Sequence, residues 1–147
     1  TIADNVRVHA DITDENIERA LVLSHADEFV NRLGGIHAQV AERGATFSTG
    51  ERQLISFARA IAHQPAILVL DEATANIDSK TELLVQRSIE SISQGRTAIF
   101  IAHRLSTIRN CDKIFVLDHG EVIESGSHEE LMAKNGAHAK MVAGVEA

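Results

Sequence analysis

The sequence predicts an α/β fold: a helical segment followed by a mostly parallel sheet. Three observations carry this. Residues 1–63 place apolar residues at helical spacing, and after Pro65 short apolar runs alternate with helical stretches. One of these runs, "AILVL" at 66–70, passes straight into two acids, Asp71 and Glu72. An apolar run of that length reads as a strand buried on both faces in a parallel sheet.

In the front segment, Thr13 caps a helix whose first turn holds Asp14 and Glu15, favourable at the positive helix end. Ile17, Ala20, Leu21 and Ser24 follow at helical spacing. A short helix over about Ala26–Leu33 stops at Gly34-Gly35. The loop "GIHAQVAERGATF" leads to "STGERQLISFARAIAHQP". There Ser48 and Glu51 have the spacing of a capping box, and Leu54, Phe57, Ala58 and Ile61 form one apolar face. Pro65, the only proline, ends this helix.

Strands are predicted at Ile67–Leu70, Ala98–Ala102, Lys113–Leu117 and Glu121–Glu124. A helix from about Lys80 to Ser93, stopped by Gly95, joins the first two as a right-handed β-α-β crossover. "DHGE" makes a hairpin of the last two. Ser127 with Glu130 opens a further helix, read as exposed, and residues 137–145 form the last. These elements divide the chain into 1–63, helical, and 64–147, α/β.

The chain has 147 residues, 44% of them hydrophobic and 24% charged, enough for one domain or a large piece of one. A net charge of −7 argues against a nucleic-acid partner. The single cysteine, Cys111, allows no internal disulfide and fits a reducing compartment; it reads as a small buried or half-buried residue, with a reactive thiol as the alternative. No apolar stretch approaches the ~18 residues of a membrane span, and no signal peptide is visible. The start "TIADNVRV" lacks an initiator Met, which fits a cropped or processed chain. His25, His37, His63 and His138 show no metal-ligand spacing and read as surface residues.

Ligands of open α/β sheets bind at the carboxyl ends of the strands. Asp71 and Glu72 lie at one such end and His103 at another. Successive strand residues point to opposite faces, so the two acids can serve different ligands. Taken singly, Asp71 and Glu72 read as the start of a polar loop and His103 as a polar strand end. Their order, with "STGERQ" before and "ANIDS" after the acids, points further.

With these motifs the chain resembles the second half of an ATP-binding cassette (ABC) domain of the exporter type, multidrug- or lipid-exporter-like. "ILVLDEAT" resembles the Walker B strand, "FSTGERQ" the signature usually written LSGGQ, "ANID" the D-loop, "IAHRLSTI" the switch-histidine segment and "VAERG" the X-loop facing the coupling helices. The resemblance implies a partial P-loop NTPase (RecA-like) core at 64–147, behind an α-helical signature subdomain at 1–63. It implies ATP and Mg²⁺ as cofactors. Asp71 then helps hold the metal, Glu72 polarises the attacking water, and His103 contacts the γ-phosphate. Ser48, Thr49, Gly50 and Glu51 meet nucleotide held by the opposite subunit, and Asp78 reaches across the dimer interface. Asp78 also reads as an N-cap, and both roles are compatible. The implied partners are a second nucleotide-binding domain, identical or different, and the transmembrane domain of the same transporter. The implied location is the cytoplasmic face of the cell (inner) membrane.

No G-x-x-x-x-G-K-[ST] occurs in the sequence, so the P-loop half is absent and the 147 residues alone are expected to be inactive. An exposed sheet edge, prone to self-association, follows. In the signature, Thr49 stands in place of a glycine and Glu51 in place of glutamine. A carboxylate ~4 Å from a phosphate is repelled by about 4 kcal/mol at an effective dielectric near 20, less if Glu51 turns back to the Ser48 amide. That departure suggests the weaker site of a heterodimeric exporter. Two other readings are an ABC-type ATPase of DNA maintenance and a degenerate, partner-binding half. Residues 1–46 lack the heptads and basic stripe of the former, and intact Asp71, Glu72 and His103 oppose the latter.

Overall fold

The computed structural model describes residues 1–41, 44–71, 79–101 and 105–144. It separates into two compact units, Thr1–Ile99 and Phe100–Ala147.

The first unit opens with α1 (Ile2–Arg7), α2 (Asp14–Leu23) and α3 (Asp27–Arg32), then α4 (Thr49–Ala62), β1 (Ile67–Asp71) and α5 (Ser79–Ser93). Thr13 caps α2, with Asp14 and Glu15 in the first turn. Ile17, Ala20 and Leu21 are buried, as their spacing predicts. α3 ends at Gly34 and Gly35, whose φ angles of 103° and 89° suit a residue without Cβ. α1 is less evident in the sequence. Its first amides donate outside the helix, from Ile2 to the Ala38 carbonyl (3.1 Å) and from Ala3 to that of Ile36 (2.8 Å), so a loop far along the chain completes it.

α4 packs against α1, α2 and α5. Leu54, Ile55, Phe57, Ala58 and Ile61 are buried beneath it, about 1.5–3 kcal/mol of transfer free energy for each large side chain. Where α2 ends, the buried Ser24 carbonyl accepts a hydrogen bond from the Ser88 hydroxyl of α5 (2.6 Å), which satisfies a polar group in the core. α4 stops at Ala62, three residues short of Pro65. Gln64, before the proline, adopts φ 47° rather than the helical region that the proline ring disfavours.

β1 pairs with β2 (Thr97–Ile101) in a two-stranded sheet. The expected burial on both faces does not occur. Leu68 is 5% exposed, but Ile67 and Val69 are 61% and 60% exposed. Strand alternation puts these on opposite faces, and among the described residues one face is left open. Ile99 and Ile101 on β2 are exposed as well.

The second unit holds α6 (Leu105–Arg109), β3 (Ile114–Asp118), β4 (Glu121–Gly126), α7 (His128–Lys134) and α8 (Ala137–Val142). α6 has no counterpart in the sequence reading. β3 and β4 are antiparallel, as the hairpin predicts. His119 and Gly120 both have positive φ, the requirement of the two-residue turn that matches strand twist. A second capping box, Ser127 with Glu130, starts α7. This helix is not simply exposed: Leu131 is fully buried on its inner side. Cys111 is half-buried, and burial pushes its thiol pKa up.

His138 also departs from expectation. It was expected at the surface, yet it is 3% exposed, with Nε2 3.0 Å from His128 Nδ1. The cause is Glu124 on β4, whose carboxylate accepts the amides of Ala137 (2.8 Å) and His138 (3.0 Å) and draws α8 inward. Gly136 makes room for this, since a Cβ there would lie 1.7 Å from Glu124 Oε1. Burial, followed by the charge of His128, holds the His138 pKa below its ordinary 6.5, while Glu124 acts in the opposite direction.

A lowered pKa means that the folded state binds the His138 proton less readily than the unfolded chain does. The stability this contributes is present above the ordinary value and lost as pH falls through about 6.5. We expect the urea midpoint to fall between about pH 7.5 and 5.5, and His138→Phe to flatten that decline. Equal pH slopes for the two proteins would rule out His138 as its source.

Candidate functional site

The site that the described residues build is the start of α4. Ser48 is its N-cap, with φ −64° and ψ 165°. Its hydroxyl accepts the Glu51 amide (3.1 Å), and Glu51 Oε2 accepts the Ser48 amide (2.9 Å). The capping box expected from the sequence is therefore formed in both directions. Arg52 braces the same turn: Nη1 donates to the Phe47 carbonyl (2.7 Å) and Nη2 to the Thr49 hydroxyl (3.1 Å). Phe47 is anchored edge-on to Phe29, with centroids 5.8 Å apart.

Ser48 and Thr49 are exposed and Gly50 is buried. Among the described residues, the amides of Thr49 and Gly50 have no hydrogen-bond acceptor. Unpaired first-turn amides carry the positive end of the helix dipole and suit an anion. Glu51 would oppose one, but its carboxylate is turned back onto the Ser48 amide and lies 3.4 Å from Arg32 Nη2.

Asp71 is the last residue of β1 and is exposed. Glu72, Asp78 and His103 lie outside the described residues. No group of three His, Cys, Asp or Glu among the described residues is arranged to hold a metal alone. A magnesium ion brought by a nucleotide and touched by one acid needs no such group. Near the α4 tip, a cleft of about 250 Å³ is lined by Val40, Ala41, Gly44, Arg52 and Arg59, among others.

Two residues at this tip escaped the sequence reading. Arg52 stands three residues after Thr49, a spacing that could have revealed it. Arg32 lies nineteen residues before Glu51, and no local pattern links them.

The class to which this fold belongs is given by comparison with known proteins. Residues 1–75 match the family model described as ABC transporter; the chain belongs to that family. It is 54% identical over 142 residues to a putative ABC transporter ATP-binding protein, exp8, of Streptococcus pneumoniae, covering 96% of this chain and 24% of that protein. It is 53% identical to a probable multidrug resistance ABC transporter ATP-binding/permease protein, YheH, of Bacillus subtilis, covering 96% of this chain and 21% of that protein. Among solved structures, a bacterial Atm1-family ABC exporter with ATP bound superposes with a TM-score of 0.85 at 37% identity, covering 97% of this chain and 25% of that one. The chain thus spans about a quarter of the length of the relatives it matches, and its α/β fold is that of the exporter's ATP-binding domain.

Ser48→Ala removes the hydroxyl that caps α4 and should cost about 1 kcal/mol in urea unfolding. Glu51→Gln keeps an acceptor for the Ser48 amide and should cost less. An unchanged midpoint for Ser48→Ala would show that the box contributes nothing to stability.

Proposed function

We propose that this chain is the signature-bearing part of an ATP-hydrolysing domain that drives a membrane exporter. The observation that carries the reading is the α4 tip: a helix start exposed at Ser48 and Thr49, two amides without an acceptor among the described residues, and the sequence "FSTGERQ". The amides of Thr49 and Gly50, with the Ser48 hydroxyl, would receive a phosphate of nucleotide held by a second nucleotide-binding domain. Asp78 would reach across the same interface.

The residues fit ATP with Mg²⁺. When bound, the metal neutralises charge on the phosphate oxygens, and most of the remaining task is positioning. Asp71, exposed at the end of β1, would hold the metal's hydration shell. Glu72, next in the sequence, would take a proton from the attacking water. His103 would orient that water against the γ-phosphate. These roles come from the order of motifs and the family the chain belongs to.

The longer protein would carry a transmembrane domain in the same polypeptide, as the ATP-binding/permease names of its relatives suggest. This domain would then lie on the cytoplasmic face of the membrane. The segment beginning Val40-Ala41 borders the cleft beside α4 and would meet that membrane domain. The relatives' names span drugs, fatty acids, lipid A-core and β-glucan, so cargo is set outside these residues.

In the full-length protein, Glu72→Gln should retain ATP binding and abolish turnover; substantial steady-state hydrolysis would remove Glu72 from the catalytic role. The 147 residues alone, having no Gly-Lys phosphate loop, should bind ATP poorly. Micromolar, Mg²⁺-dependent binding by calorimetry would contradict this.

A further inference from the structure

The carboxylate of Glu51 stands at the helix tip assigned above to a phosphate, and like charges there oppose binding. Two donors restrain it. The Ser48 amide holds Oε2 at 2.9 Å, and Arg32 Nη2 lies 3.4 Å from Oε1. Arg32 is the last residue of α3, so a separate helix supplies the compensating charge. Its side chain is 67% exposed and that of Glu51 26%. The 3.4 Å separation exceeds that of a tight charge-assisted hydrogen bond, so Arg32 acts mainly through its charge. Arg52 does not replace it, because its two terminal nitrogens are engaged by Phe47 and Thr49.

We propose that Arg32 is a positioning residue for nucleoside triphosphate binding at the α4 tip. It offsets the charge of Glu51 and keeps that carboxylate folded back on Ser48, so the helix start at the exposed Ser48 and Thr49 stays open to phosphate. This rests on the function proposed for the tip. Exposed ion pairs are weak, which limits the effect to about two- to fivefold in affinity.

The test is steady-state ATP hydrolysis by the full-length protein, with KM and kcat separated. Arg32→Ala should raise KM for Mg-ATP about two- to fivefold at low salt with kcat nearly unchanged. Arg32→Lys should retain most of the affinity. The Arg32→Ala effect should vanish in a Glu51→Gln background, and also at about 0.5 M salt, where charges are screened within a few ångströms. A purely structural role would persist in both conditions and would overturn the proposal, as would an unchanged KM at low salt. Ser48→Asp separates the two levels of inference, since aspartate still caps a helix yet adds charge at the tip. If Ser48→Asp leaves KM unchanged, the tip meets no phosphate and the underlying reading fails. If it raises KM while Arg32→Ala does not, only the assignment of Arg32 fails.

Discussion

The structure of the first unit depends on one constraint: where α4 begins. The reciprocal Ser48–Glu51 bonds fix that start to a single residue. Helical periodicity then decides everything downstream. Leu54, Phe57, Ala58 and Ile61 turn inward onto α1, α2 and α5, while Ser48 and Thr49 stay in solvent. The same bonds satisfy the amides of Ser48 and Glu51 and leave those of Thr49 and Gly50 without an acceptor. Stability and the pattern of paired and unpaired first-turn amides thus come from one piece of local geometry.

Glu51 shows how a departure from a family pattern is accommodated. In place of the usual glutamine, a carboxylate brings a negative charge to the first turn of a helix. The charge is not left facing the tip: it closes the capping box and lies beside Arg32. Thr49, in place of glycine, is likewise engaged by Arg52. A first turn with two substitutions therefore remains regular, because each new side chain finds a partner within a few ångströms.

The second unit solves a different problem, the docking of a six-residue helix with little apolar surface. α8 is held through its backbone, by Glu124 on the amides of Ala137 and His138, and through the His138–His128 contact. Glu124 can approach because position 136 is glycine. A polar anchor that includes a buried imidazole makes this corner sensitive to protonation, unlike a corner anchored by leucine.

The sequence by itself determined the helix starts at Thr13, Ser48 and Ser127, the stop at Gly34-Gly35, the hairpin turn at His119-Gly120 and the buried stripe of α4. It also determined the family, through five motifs in fixed order. Each of these is settled by contacts within about four residues or by the two chain periodicities, which can be counted along the sequence. Only the tertiary structure decided that Ile67 and Val69 lie open, that His138 is buried, that loop carbonyls complete α1, and that Arg32 faces Glu51. Those outcomes depend on which distant element arrives at a given face. Nothing in the spacing of residues encodes a distance between groups nineteen or more positions apart.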